Sequence, residues 1–386
     1  MDFELSGEQA LLKSTIREFA ESELAPRVAD FEARGEFPRD LVRRLWSELG
    51  LGGMLAPERF GGIDLDPVSY MLVIEELARV WPSVSIIVAV HNSVGVQLIA
   101  DHGTDAQKER FLPRLTKDWL AAFSLSEPGA GSDVAAIRAV ARLESGAYVL
   151  RGEKNWVSNG LHADVYIVYA KTDAAAGSRG ISAFILERGT PGFTVGKPEK
   201  KMGLKASEAV TLSLEGCRVP VENRLGEEGR GFGIAMVELD SGRVGVGAQA
   251  VGIAQAAFDL ALKYAREREA FGKPIAEFQA VQWMLADMAT RLEQARALVY
   301  RAAWRKQAGL SFTREASMAK LYASEAATFV CHRAIQIHGG YGYTEDYHVE
   351  RFYRDARVTE IYEGTSEIQR LVIARNWLRE NGYEQG

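Results

Sequence analysis

Val165-Tyr166-Ile167-Val168-Tyr169, followed across Gly177 and Gly180 by Ile181-Ser182-Ala183-Phe184-Ile185-Leu186, is where the fold is decided. Both runs are short, β-branched or aromatic, and bounded by glycine, which reads as two strands. Tyr148-Val149-Leu150 before them and Val210-Thr211-Leu212-Ser213-Leu214 after them have the same character, punctuated by Gly146, Gly160, Gly189 and Pro191-Gly192. Parallel neighbours need a long crossover, usually a helix. No long helical pattern lies among these runs, so a compact antiparallel β unit is expected.

Helical periodicity holds on either side. Ser6 ahead of Glu8 and Gln9 is a helix-start signal, and Leu11, Leu12, Ile16 and Phe19 recur at helical spacing. Residues 41–46 and 68–80 repeat the pattern, with Pro57, Gly61, Gly62 and Pro67 marking a loop between them. Residues 83–99 are apolar nearly all round, as in the interior of a bundle. From Gly231 the helices return, with Ala-rich stripes over 248–266, 275–307 and 312–338. Leu239-Asp240-Ser241-Gly242-Arg243 reads as the capped opening of that region, and 375–386 as a short tail. The expected fold is α+β in three domains: an all-α domain over 1–118, an antiparallel β-barrel or sheet over 119–228, and a four-helix bundle over 229–386.

At 386 residues the chain is too long for one simple core. A formal net charge of -6 argues against a nucleic-acid binder, while leaving room for a small basic pocket that holds an anionic cofactor. Cys217 and Cys331 have no paired spacing and are expected as buried free thiols. The six histidines show no ligand spacing, so no metal site is expected. The acidic start at Met1-Asp2-Phe3-Glu4 is neither a signal nor a transit peptide. The apolar run 84–90 is too short to span a bilayer. A soluble, cytoplasmic protein with no membrane partner is the expectation.

Two stretches carry chemistry. In Phe123-Ser124-Leu125-Ser126-Glu127-Pro128-Gly129-Ala130-Gly131-Ser132-Asp133, glycines flanking a small residue leave backbone N–H groups open, and two hydroxyls add donors. It is no Rossmann fingerprint, because Val134 stands where the third glycine would be. In Ile361-Tyr362-Glu363-Gly364-Thr365-Ser366, a carboxylate lies between an aromatic ring and a glycine, ahead of a helix cap. Such a residue suits a base beside a flat ligand. Together these stretches closely resemble the acyl-CoA dehydrogenases, and the resemblance runs over nearly the whole chain.

That resemblance implies FAD as cofactor, lined by Phe123, Ser124, Leu125, Ser126, Gly131 and Ser132, and by Trp156, Val157 and Ser158, with Ser158 bonding near flavin N5. It implies that Arg268, Phe271 and Gln279 reach FAD from a neighbouring subunit, that Gln336, Ile337, His338, Gly339 and Gly340 serve its adenosine side, and that Thr365, Ser366 and Glu367 continue the contacts. Ser132, Asp240, Ser241, Gly242, Arg243 and Gly364 are the implied acyl-CoA contacts. Some relatives place their glutamate in the helix at 242. Gly242 here, with Glu363 in the C-terminal loop, favours the straight-chain, short- or medium-chain branch. The implied reaction oxidises acyl-CoA to trans-2-enoyl-CoA in fatty-acid or branched amino-acid catabolism: Glu363 takes the α-proton and the β-hydride goes to flavin N5. Electron-transferring flavoprotein is the implied acceptor, and a homotetramer the implied state. The rivals are an acyl-CoA oxidase using O2 and a non-dehydrogenating flavoprotein of the same fold.

Overall fold

The computed structural model describes residues 4–383, so Met1-Asp2-Phe3 and the end of the expected tail lie outside it. Ser6 starts α1 (Gly7–Phe19) with a capping box: its Oγ accepts from the Gln9 N–H at 3.2 Å, and Gln9 Oε1 accepts from the Ser6 N–H at 3.1 Å. Two donors that a first turn leaves free are thereby satisfied. The N-terminal helices continue with α2 (Val28–Arg34), α3 (Arg39–Leu49), α4 (Pro67–Val80), α5 (Pro82–His91), α6 (Gln97–His102) and α7 (Asp105–Leu115). A π turn, Asn92–Val96, joins α5 and α6 into one continuous helix of 21 residues. This is longer than the apolar run 84–90 implied, and by length it could cross a bilayer. Its most apolar window is 94% buried inside the protein, which is why it is apolar on every side.

The middle region is a sheet of β1 (Ala121–Ser124), β2 (Val140–Glu144), β3 (Ala147–Ser158), β4 (Val165–Lys171), β5 (Ile181–Glu187), β6 (Phe193–Val195), β7 (Ala209–Pro220) and β8 (Arg224–Leu225). The order is β6-β7-β3-β2-β4-β5-β8, with β1 beside β4. The long ladders are antiparallel, as the strand runs indicated. The wholly antiparallel expectation is nevertheless corrected: β1 runs parallel to β4, with Ala121 opposite Val165 and Ser124 opposite Val168. The crossover that permits this is the β2–β3 hairpin rather than a helix. His91 ties β1 to the helices, its Nδ1 accepting from the Ala121 N–H at 3.1 Å and its Nε2 donating to Gly52 O at 2.9 Å. Burial pushes the His91 pKa down to about 4, so the ring is neutral and serves both bonds.

The C-terminal region comprises α8 (Gly231–Glu267), the hairpin of β9 (Glu269–Ala270) and β10 (Lys273–Pro274), α9 (Gln279–Gln307), α10 (Thr313–His338), α11 (Val349–Arg357) and α12 (Ser366–Glu380). Three expectations are corrected. Asp240 to Arg243 lie inside α8 rather than opening a helix. Residues 275–277 form a 3-10 turn ahead of α9, and residues 375–380 belong to α12. Glycine weakens an isolated helix, but in α8 its small size admits neighbours. A Cβ at Gly252 would lie 2.3 Å from Glu75 O on α4, and one at Gly247 would lie 2.9 Å from Val299 on α9. Helices α8, α9 and α10 pack on one another, α12 lies along α10, and α4 packs on α8 and α9. One apolar core therefore joins the N- and C-terminal helices. Cys217 and Cys331 are buried and free, as expected.

The α4–α8 contact gives a direct test. Gly252→Ala should cost about 1–3 kcal/mol by overpacking against backbone, seen as a lower urea midpoint at unchanged m-value.

Candidate active site

After α11 a 3-10 turn, Val358–Glu360, leads into a loop in which Glu363 (φ 53°) and Gly364 (φ 97°) both take left-handed backbone. Glycine adopts this freely. For glutamate it is strain of roughly 1–3 kcal/mol, which persists only where the surroundings over-determine it. Three helices do so. Gln369 on α12 donates Nε2 to Glu363 O (3.3 Å) and Gly364 O (2.9 Å), Arg243 on α8 donates Nε to Glu363 O (3.4 Å), and Lys320 on α10 donates Nζ to Gly364 O (2.8 Å).

The loop turns the carboxylate inward. Glu363 as a residue is half-buried, yet its Oε2 is fully covered and has no hydrogen-bond partner among the described residues. It faces Gly242, where a Cβ would stand 2.2 Å from Oε2. The carboxylate thus fills the space that any side chain at 242 would take. Burial pushes the Glu363 pKa up to about 7, against the pull of Lys320 and then Arg243. The neighbours expected to contact acyl-CoA are themselves buried and engaged. Arg243 Nη1 donates to Asp240 Oδ1 at 2.6 Å, Asp240 Oδ2 accepts from Thr313 Oγ1 at 2.5 Å, and Ser241 Oγ accepts from Lys306 Nζ at 2.8 Å. Arg243 therefore holds the Glu363 backbone, a task the sequence did not suggest.

The glycine-rich stretch and the tryptophan stretch meet. Glu127 and Ala130 close a tight turn with two backbone bonds of 3.0 Å. The buried Glu127 carboxylate accepts from Lys154 Nζ (2.8 Å), the Arg138 N–H (2.6 Å) and the Ala139 N–H (3.0 Å). Lys154 also donates to Leu125 O at 3.0 Å, and the Asn155 N–H donates to Ser126 O at 2.9 Å. A Cβ at Gly129 or Gly131 would meet nothing within 4 Å, so the space beside this turn is open. Trp156 is 63% exposed at φ 61°, Phe123, Ser126 and Ser158 are half-buried, and Ser132 is exposed. Leu125 and Val157 point into the core, which leaves only their backbone for a ligand. Ser124 Oγ and Ser366 Oγ are buried without hydrogen-bond partners among the described residues. Thr365 caps α12 and Glu367 is exposed on its first turn. An open glycine cradle, an exposed aromatic face and orphaned hydroxyls fit a flat, hydrogen-bonding ring such as the isoalloxazine of FAD.

The remaining expected cofactor residues lie elsewhere in the chain. Arg268 sits over the Tyr341 ring at 5.7 Å, Phe271 is 96% exposed at φ 52°, and Gln279, Gln336, Gly339 and Gly340 are exposed nearby in sequence. Ile337 and His338 are buried, His338 stacking on Tyr264 at 4.3 Å and bonding Ala334 O at 2.8 Å. Their side chains serve their own subunit. Gly247 lies against Ala319 and Arg268 against Tyr341, so α8 and α10 run in the same direction. At 1.5 Å per residue, Gly242 and Arg268 are about 39 Å apart along α8.

The fold and this site define an acyl-CoA dehydrogenase. The chain matches that family's N-terminal domain over residues 6–118, its middle domain over 122–217 and its C-terminal domain over 229–378. It belongs to the acyl-CoA dehydrogenase family, and is an oxidoreductase with FAD as cofactor. It is 46% identical over 375 residues (97% of this chain, 99% of the relative) to the short-chain specific acyl-CoA dehydrogenase of Clostridium acetobutylicum. It is 49% identical over 382 residues (98% and 96%) to the acryloyl-CoA reductase (NADH) of Anaerotignum propionicum. Among solved structures it is similar to butyryl-CoA dehydrogenase from Megasphaera elsdenii, with TM-score 0.96 and 46% identity over 98% of this chain and 100% of the other.

Gly242→Ala should displace the base while leaving the flavin wall intact. We expect bound FAD to be retained and the rate of flavin bleaching by acyl-CoA to fall about 10²-fold, the scale of a 1 Å misplacement.

Proposed function

We propose that this chain dehydrogenates short-chain acyl-CoA thioesters to trans-2-enoyl-CoA, with Glu363 as the base. The observation that carries the reading is the Glu363 carboxylate, buried beside Gly242 with Oε2 unpartnered and a pKa of about 7. A base of that pKa is ionised enough at neutral pH to take a proton and basic enough to want it. The arginine, lysine and glutamine that fix the loop hold the carboxylate before substrate arrives, so little reorientation is left to the reaction. The backbone N–H of Glu363 polarises the thioester carbonyl, a donor worth roughly 3–4 kcal/mol to the developing enolate. Residues 123–132 and 156–158 form the wall for FAD, which supplies the hydride acceptor when bound. Ser132 and Gly364 contact the thioester arm.

The short-chain preference is supported one turn beyond the base. On α8, a Cβ at Gly245 would meet nothing within 4 Å, leaving space for an acyl chain. Gln249 follows at i+4, fully buried, donating Nε2 to Pro82 O at 2.9 Å and accepting from the Tyr362 hydroxyl. A buried polar pair is costly to part for an apolar tail, so it closes the cleft after a few carbons. The same carboxylate can return a proton to the α-carbon, so net enoyl-CoA reduction is a second reading, favoured by the likeness to acryloyl-CoA reductase. Electron-transferring flavoprotein is the electron partner in the first reading, and NADH the donor in the second.

FAD bridges two chains. Arg268 lies too far along α8 to serve the flavin at its own Glu363, yet it stands exposed with Phe271 in a strained, left-handed turn suited to a partner's cofactor. A homotetramer built from such pairs is the proposed assembly.

Glu363→Gln should stay yellow and bind butyryl-CoA, but should fail to bleach anaerobically; normal bleaching removes the residue from its role. In the parent protein kcat/KM should rise with pH through about 7, because the ionised carboxylate is the active form, and butyryl-CoA should outrun palmitoyl-CoA. Arg268→Glu should lose FAD, read as the ratio of absorbance at 450 to 280 nm, although that side chain is remote from its own chain's base.

A further inference from the structure

Lys320 lies in a helical stripe of small residues, Ala316, Ala319, Ala323, Ala326 and Ala327, where a charge is out of place. Its side chain is fully buried, and no carboxylate oxygen lies within ion-pair distance of Nζ among the described residues. Its one direct bond is the 2.8 Å donation to Gly364 O, the residue after the base. Burying a lone ammonium is expensive, and a methionine of similar length would fill the space at less cost. We infer that Lys320 is a positioning residue for Glu363: its ammonium clamps the Gly364 carbonyl and supplies the buried positive charge that keeps the base ionisable.

The surrounding charges favour this assignment. Glu363 is faced by Lys320 from α10, Arg243 from α8, Tyr70 from α4 and Tyr362 from its own loop. Arg243 is already paired with Asp240 at 2.6 Å. Lys320 faces Glu363, Arg243, Glu360 and Glu367. Glu360 is bound by Arg357 at 2.9 Å and by the Thr328 hydroxyl, and Glu367 is exposed. Glu363 and Lys320 are thus each other's main uncompensated charge. Burial holds the lysine pKa down to about 8, and the Glu363 charge pulls it up. Lys320 in turn is the largest influence pulling the Glu363 pKa down. Gln369 bonds the Gly364 carbonyl that Lys320 holds, and the Glu363 carbonyl as well, without charge, which separates clamping from electrostatics within one loop.

This inference rests on Glu363 being the base, but its deciding readout, a titration midpoint, does not need acyl-CoA. In the FAD-loaded protein, the carboxylic-acid infrared band of Glu363, assigned by difference against Glu363→Gln, is titrated with pH. In Lys320→Met the midpoint should move up by about one pH unit or more, and kcat/KM at pH 7 should fall about fivefold or more and recover at higher pH, because moving a midpoint near 7 up by one unit cuts the ionised fraction at pH 7 from about one half to about one eleventh. In Gln369→Ala the midpoint should stay while kcat falls. If Lys320→Met does not fold, Lys320→Gln, which keeps a donor for Gly364, decides by the same criterion. An unmoved midpoint in the lysine variant, or an equal shift in Gln369→Ala, overturns the inference. Continued bleaching by Glu363→Gln would instead overturn the assignment of the base and leave the titration result standing.

Discussion

A glutamate held in left-handed backbone is the constraint on which the rest of the structure depends. Glu363 cannot keep φ 53° unaided, and the groups that hold it come from α8, α10 and α12, each fixed by the common helical core. The carboxylate then lands where α8 has no side chain, at Gly242. Carboxylate, glycine and clamp are one arrangement. Remove the glycine and the carboxylate has no room; remove the clamp and the backbone relaxes to an ordinary conformation.

Strain recurs at the other sites assigned to the cofactor. Trp156 and Phe271 also have positive φ, and both present large apolar rings to the outside. Three of the seven non-glycine residues in this conformation among the described residues are therefore assigned to base or cofactor. Backbone strain of this kind needs a rigid frame. For Trp156 the frame is the buried Lys154–Glu127 pair, which ties its strand to the glycine-rich turn. Breaking such a pair leaves a bare charge in the interior, so it holds the two halves of the flavin wall in register.

The molecule divides its chemistry by distance. Glu363 faces Gly242 in the N-terminal half of α8 and its loop is bonded by Lys320 in that of α10, whereas the exposed Arg268, Phe271 and Tyr341 stand at the far end of the two helices. The two regions are separated by most of the length of α8, which is why a second chain is proposed to supply the contacts at the far side of a long cofactor.

Much was legible in the sequence because its signals are local. Strand runs bounded by glycine, the Ser6–Gln9 cap and the apolar helix at 83–99 need only neighbours in the chain to be recognised. The glycine-rich turn and Glu363 were legible as motifs. Other features were not. Ala121-Ala122-Phe123-Ser124 has no strand pattern and becomes a strand only because Val165 to Val168 lie beside it. Asp240 to Arg243 looked like a helix start, since glycine and serine weaken an isolated helix, until packing against α4 and α9 favoured continuing it. Ile337 and His338 belonged to a recognisable motif, yet their side chains turn inward. Lys320 and the Glu127–Lys154 pair gave no signal beyond a polar residue at an ordinary position, because their meaning is a contact across more than twenty residues of chain, and Gln369 gave none because its bonds to Glu363 O and Gly364 O depend on the loop's left-handed turn. Residue types and spacing alone indicated the order of helix, sheet and helix, and the family resemblance carried by two motifs singled out Glu363 as the candidate base. The tertiary structure decided which polar groups are buried, what each one faces and how far apart the sites lie, because burial and distance exist only once remote segments have packed.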